Sequence, residues 1–182
     1  METFDMKGAG MPYNNLFVSE GKYACYLEEA QRIFIKLDEK FKGYALTNDK
    51  CSEVTIPAMI SEDVLQKCGY FNAFPGQICA VTRFNPDKYE NVVNNDKKGS
   101  EYMTHDKQYL TPAACLHIYP LLKGCKVENR VFTTRARVYR YENDCYDDNT
   151  RMWDFAVREI VFVGCKEFVR QSLLEGQEYA LD

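Results

Sequence analysis

The chain has 182 residues, with 23 basic and 27 acidic side chains and a formal net charge of −4. That length suits one domain with a proper core, and the ordinary hydrophobic and charged fractions suit a soluble globular protein. The acidic balance lacks the broad basic footprint that electrostatic binding of nucleic acid needs.

No apolar stretch approaches the twenty or so residues that span a bilayer, so no membrane association is expected. The N-terminal residues show no basic start followed by an apolar run and a small-residue cleavage site. A cytoplasmic location follows as the expectation. Eight cysteines include no C-x-x-C pair, which argues against a zinc ribbon or redox motif and for free thiols in a reducing compartment.

Residues 1–18 contain Gly8, Gly10 and Pro12 and little periodicity, and read as an extended lead-in to a domain over 19–182. Tyr23, Tyr26, Leu27, Ala30, Ile33, Phe34, Leu37 and Phe41 then fall on one helical stripe, with Gly43 placed to end the helix. A short strand near 53–56 stops at Pro57. Ser61 caps a short helix that runs to Cys68 and Gly69.

Residues 69–75 are aromatic and turn-like, and 77–84 read as a strand. The polar tract 85–106, containing His105, reads as a surface loop. A short helix over about 113–119 should stop before Pro120. Two long strands, 129–142 and 152–163, flank the acidic loop 143–150. A final amphipathic helix over 166–179 turns Phe168, Val169, Ser172 and Leu173 inward. The pattern predicts an α+β fold, a mainly antiparallel sheet flanked by helices.

The hairpin carries the chemistry. Side chains alternate across a strand, so Ala136, Val138, Arg140 and Glu142 share one face, and Arg151, Trp153, Phe155, Val157 and Glu159 share another. If the register aligns these faces, Arg140, Glu142, Arg151, Phe155 and Glu159 converge. Forked guanidinium donors match phosphate oxygens, an aromatic ring can stack on a purine, and a carboxylate can orient an amino group. Taken singly, each reads better as a solvated charge on an exposed sheet, with Phe155 in the core. The spacing of the set favours the converging reading.

Tyr139-Arg140-Tyr141-Glu142 followed by Arg151-x-x-x-Phe155 resembles motif 2 of class II aminoacyl-tRNA synthetases. Val54-Thr55-Ile56-Pro57, Gly69-Tyr70-Phe71 and Phe74-Pro75 are similar to the motif 1 region of seryl-type enzymes. Leu110-Thr111-Pro112-Ala113-Ala114-Cys115 resembles their substrate loop, with Cys115 at the usual glutamate position. Residues 158–164 resemble the strand carrying their amino-group-recognising glutamate, here Glu159.

The cysteine makes the likeness closest to the zinc-dependent branch, which comprises amino acid:[carrier protein] ligases and atypical seryl-tRNA synthetases. The fold it implies is a truncated class II synthetase catalytic domain, because motif 3, the Gly-rich strand and helix that closes the ATP site, is not found. The resemblance places Arg140 at the α-phosphate as the catalytic residue. It places Glu142 at the adenine edge, Arg151 at the outer phosphates and Phe155 stacked on adenine.

It makes Cys115 and Glu159 two zinc ligands and brings magnesium with ATP. It also implies adenylation of a small amino acid and transfer to a carrier protein rather than tRNA, with a homodimer or a complementing subunit. The other reading is a non-catalytic relative used for binding. His117 and His105 are expected as structural and solvated histidines, Trp153 as a packing residue, and Asp147-Asp148 as a solvated turn.

Overall fold

The computed structural model describes residues 17–20, 23–94, 99–142 and 151–181. The expected lead-in up to residue 16 and the acidic loop 143–150, with Cys145 and Asp147-Asp148, lie outside the described residues. The fold is α+β, but the strands form three small ladders where one sheet was expected.

Strands β1 (Phe17–Glu20) and β2 (Tyr23–Tyr26) pair antiparallel. Helix α1 therefore begins at Glu28, later than the apolar stripe predicts, and runs to Leu46. Tyr-Ala-Cys-Tyr is a short apolar run that fits either period, and here the strand wins. Glu28 and Glu29 then place negative charge on the first helical turn, where the macrodipole favours it. Gly43 does not end the helix. Tyr44 stacks on Tyr179 at 4.5 Å and Ala45 is buried, so packing carries the helix one turn past the glycine.

The central ladder is β3 (Cys51–Glu53), β7 (Arg130–Tyr139) and β8 (Asp154–Val163), in that order. β3 lies parallel to β7, and β8 lies antiparallel to it over ten pairs from Arg130↔Val163 to Tyr139↔Asp154. The third ladder has the order β4 (Met59–Ser61), β6 (Met103–Leu110), β5 (Ala80–Phe84). Isolated backbone bonds link the two: Tyr139 N–H donates to Thr111 O, and Tyr141 N–H to Gln77 O.

Helix α2 (Glu62–Lys67) starts after Ser61, whose side chain makes no capping hydrogen bond, and Gly69 at φ 70° turns the chain out of it, as its sequence predicts. The turn-like aromatic stretch after it forms the short helix α3 (Tyr70–Ala73). The polar tract 85–106 is not one loop. It contains helix α4 (Tyr89–Asn94) and the start of β6, held because Phe84 pairs with Met103 and Thr82 with His105. Arg83 and Asp106 form an ion pair. The register shifts between Ala80 and Thr82, and Lys107 on β6 takes a left-handed φ of 57° there.

A 3-10 turn (Ala114–His117) leads into helix α5 (Ile118–Leu121), which includes Pro120 instead of stopping before it. The proline sits in the first turn, where its missing N–H has no intrahelical partner to lose. Helix α6 (Lys166–Leu181) closes the described chain. Its take-off is tight: a Cβ on Gly164 would lie 2.2 Å from Asn129 Oδ1 and 2.9 Å from Asn129 Cα. Cys165 N–H donates to that same Oδ1. Ser172 is buried as predicted. Leu173 is 53% exposed, because Phe168 against Phe162 and Tyr179 against Tyr44 turn the adjoining face inward.

Ile60, Leu65, Tyr70 and Leu116 form one apolar cluster under α2 and the third ladder. On the central ladder, α1 is tied to β8 by one charged clamp. Arg158 donates from Nε to Asp38 Oδ1 at 2.7 Å and from a terminal nitrogen to Asp38 Oδ2 at 2.8 Å. It also reaches Glu53 at 3.3 Å. The two side chains are only 7% and 17% exposed, so removing one partner strands the other charge.

Asp38→Asn is expected to destabilise the fold by about 2–3 kcal/mol, measured by urea unfolding. The bond from Arg158 holds the Asp38 carboxyl below its usual range. Its stabilisation is therefore present above the unfolded value and lost as pH falls through the lowered one. Wild-type stability should decline below about pH 4 more steeply than that of the variant.

Candidate functional site on the hairpin

The register decides which side chains meet. Val138 opposes Phe155, Ala136 opposes Val157 and Thr134 opposes Glu159. Arg140 N–H donates to Trp153 O, which continues the same ladder. Even positions of β7 thus share a face with odd positions of β8, the alignment on which the converging reading depends. Arg158, Asp154 and Arg137 fall on the opposite face, where Arg137 and Asp154 pair at 2.8 Å.

Arg140 and Phe155 are in contact, with the guanidinium carbon 5.2 Å from the ring centroid. Arg140 Nε donates to the carbonyl of Pro112 at 2.9 Å, which fixes the side chain from its inner end. Arg151 Nε donates to Glu142 at 3.0 Å, and the Glu142 side chain is only 9% exposed. Both arginines are thus anchored through Nε. Their terminal nitrogens, the forked part that matches phosphate oxygens, take no part in these bonds.

Glu159 meets the turn after Pro112. Its Oε1 accepts from Ala114 N–H at 2.8 Å and its Oε2 from Cys115 N–H at 2.7 Å. The small residues Ala113 and Ala114 let this backbone come down onto the sheet. The carboxylate thus caps a 3-10 turn whose first amides have no partners of their own. Burial, and then the neighbouring Glu159 carboxylate, push the Cys115 thiol up to about 11, with Tyr119 hydroxyl beside it.

All six residues expected from the sequence therefore lie in three neighbouring contacts: Arg140 with Phe155, Glu142 with Arg151, and Cys115 with Glu159. The fit to zinc is poorer. Among the described residues no three His, Cys, Asp or Glu side chains come together as a metal-binding group. A catalytic zinc takes three protein ligands, and both oxygens of Glu159 already accept amide hydrogens. Cys115 and Glu159 do not complete such a centre by themselves.

Two features escaped the sequence reading. Tyr70 lies beside Arg140 and Glu142, whose charges act on its hydroxyl, and burial is the larger cause of that group's upward shift. The Pro112 carbonyl is the second, since a backbone acceptor has no signature of its own beyond the proline that places it. The histidines behave as expected. His117 Nε2 is bonded to Thr111 Oγ1 at 2.9 Å, and exposed His105 is bonded to Gln108 O at 3.1 Å.

No protein-family model and no curated protein matches the sequence. Solved structures do match in fold. The RNA-binding domain of threonyl-tRNA synthetase from Cryptosporidium parvum Iowa II superposes with a TM-score of 0.66 at 14% identity, covering 90% of this chain and 38% of that one. M. kandleri SerRS, in a complex with A. aeolicus tRNASec, gives 0.67 at 16% identity, covering 90% and 36%. The chain thus spans little more than a third of the length of these structures. At such identities the likeness is one of fold, and the fold is one found in aminoacyl-tRNA synthetases.

Proposed function

We propose that the hairpin face binds ATP and that the chain acts as a synthetase-like, adenylate-forming module. The observation that carries this is the β7–β8 register, which sets the Arg140 guanidinium over Phe155 with Glu159 on the same face. In this reading Phe155 stacks on the adenine and Glu142 accepts from its amino group. The terminal nitrogens of Arg140 hold the α-phosphate, and those of Arg151 the outer phosphates. Magnesium, arriving with the nucleotide, would neutralise phosphate charge.

Arg140 lies where a purine would stack. A base–aromatic stack is worth about 1–3 kcal/mol against about 0.5–1 kcal/mol for an exposed cation–π contact. The nucleotide therefore outcompetes the guanidinium for the ring. The displaced Arg140 stays tethered through Pro112 and can meet the phosphate.

The amino acid carboxylate attacks the α-phosphorus and pyrophosphate leaves. Arg140 offsets the charge that builds at that centre. Each oxygen of Glu159 keeps a second lone pair, which can take the amino group of a small amino acid. The carrier-protein thiol then attacks the aminoacyl carbonyl, AMP leaves and a thioester forms, with a second copy or a complementing subunit as a further partner.

A second reading, a non-catalytic binding module, is favoured by one observation. Glu142 is taken by Arg151, Phe155 is covered by Arg140, and Glu159 holds two amides, so the groups satisfy one another.

Amino-acid-dependent exchange of pyrophosphate into ATP separates the readings. The adenylating module shows exchange, and Arg140→Ala lowers it about 100-fold or more. Absence of exchange with every amino acid, alone or with candidate subunits, rejects adenylation. ATP titration then asks whether binding survives, and Phe155→Ala should weaken it about tenfold. Charging assays with a carrier protein and with tRNA decide the acceptor.

For the metal, chain purified without chelator is expected to hold well under one zinc by mass spectrometry. One full equivalent, lost in Cys115→Ser, would instead make Cys115 and Glu159 part of a real centre completed by another donor.

A further inference from the structure

Residues 112–115 supply three of the backbone groups that fix the hairpin face. The Pro112 carbonyl holds Arg140, and the Ala114 and Cys115 amides hold Glu159. This stretch does little to brace itself. The backbone bond across it, from Leu116 N–H to Ala113 O, is long at 3.4 Å. The methyl side chains of Ala113 and Ala114 cannot form hydrogen bonds that would stiffen it. Its geometry is therefore set by what grips its two ends.

At the near end stands Thr111, fully buried and with every polar atom bonded. Its N–H donates to Ala58 O and its C=O accepts from Tyr139 N–H, each at 2.9 Å. Its hydroxyl donates to Pro57 O at 3.2 Å and meets His117 Nε2 at 2.9 Å. A hydroxyl has one hydrogen, and here it goes to Pro57, so the imidazole is the donor and carries its proton on Nε2. His117 ends the 3-10 turn at the far end of the stretch. Its ring reaches back to Thr111 and closes residues 111–117 into a loop.

We infer that Thr111 and His117 are positioning residues, a buried pair that keeps the Pro112 carbonyl aimed at Arg140. The ladder needs only the backbone of Thr111, so its two hydroxyl bonds serve the loop. Proline fixes its own φ at about −65°, which leaves the direction of its carbonyl to the torsion that follows. That torsion lies inside the loop that His117 closes. Releasing the imidazole frees it, and the guanidinium held from its inner end turns with the carbonyl. The catalytic weight of the pair rests on the ATP-binding reading, whereas the positioning itself does not.

The test reads arginine Nε–H groups by nitrogen-15 NMR in the full chain, with Arg140→Lys and Arg158→Lys assigning the two signals. Arg140 Nε–H is bonded to Pro112 and Arg158 Nε–H to Asp38 on the opposite face. The second signal therefore controls for general loosening of the fold. His117→Leu removes the donor, and Thr111→Val replaces the hydroxyl by a methyl of similar size. Each should speed exchange of the Arg140 Nε–H with water about tenfold and leave that of Arg158 within about twofold. Thr111→Ser, which keeps the hydroxyl, should match the wild type. Thr111→Val strands the Pro57 carbonyl and the imidazole in the interior, and His117→Leu decides alone if that variant fails to fold.

Where the wild type exchanges pyrophosphate, His117→Leu should lower turnover about tenfold and keep the KM for ATP within about threefold, because Phe155 and Glu142 still hold the base. A wild type that neither binds ATP nor exchanges rejects the adenylating reading, and the NMR comparison still decides the pair. Three results overturn the inference: wild-type protection of the Arg140 Nε–H in folded His117→Leu, equal acceleration at Arg140 and Arg158, or a Thr111→Ser variant that behaves as Thr111→Val.

Discussion

The register between β7 and β8 is the constraint on which the rest depends. Ten consecutive pairs hold it, and because strand side chains repeat every second residue, a slip of one position would exchange the two faces. With β7 held in place, Phe155 and Glu159 would then turn toward α1, and Arg158 would come onto the face of Arg140. The slip is opposed from both sides at once. On one face Glu159 is held by two backbone amides, and on the other Arg158 is clamped to Asp38. Burying Thr133 and Thr134 on opposite faces of the middle strand adds to this, since each hydroxyl must find an acceptor, as Thr133 does at the carbonyl of Glu159.

Much of this was legible in the sequence. The two hairpin strands and the grouping of their faces follow from alternation alone, and Gly69 turns the chain where a φ of 70° favours glycine. The strand expected at 53–56 instead ends at Glu53, ahead of Pro57, and Ser61 stands before α2 without a side-chain capping bond. What was not legible is where contacts distant in sequence override local signals. Gly43 reads as a stop until Tyr44 finds Tyr179, and Pro120 reads as a stop until the preceding turn makes it a first-turn residue. The polar start of β6 has no strand signature, and its order comes from β5 alone. Leu173 reads as core because helical periodicity marks a face without saying how wide a sheet lies beneath it.

The candidate site differs from a row of solvated charges in one respect: its members are fixed by backbone. Pro112, Ala114 and Cys115 supply a carbonyl and two amides that position Arg140 and Glu159, so one short turn organises both ends of the face. The same economy restrains metal binding. A carboxylate that caps a turn is not free to swing, and a thiol whose proton is held until about 11 gives up that proton only to a strongly stabilised ion.

The contact between Gly164 and Asn129 has a reach larger than its size. It fixes the angle at which α6 leaves the end of β8, and Val169 and Leu173 of α6 wall a groove of about 530 Å³ along residues 158–162 of that strand. A side chain at position 164 would push the helix outward about a pivot at the strand terminus. The displacement would grow along the helix axis, so that Leu173 would move further than Val169. The groove would open as a wedge, widest far from the substituted residue. The width of that groove is therefore set at a glycine that does not line it.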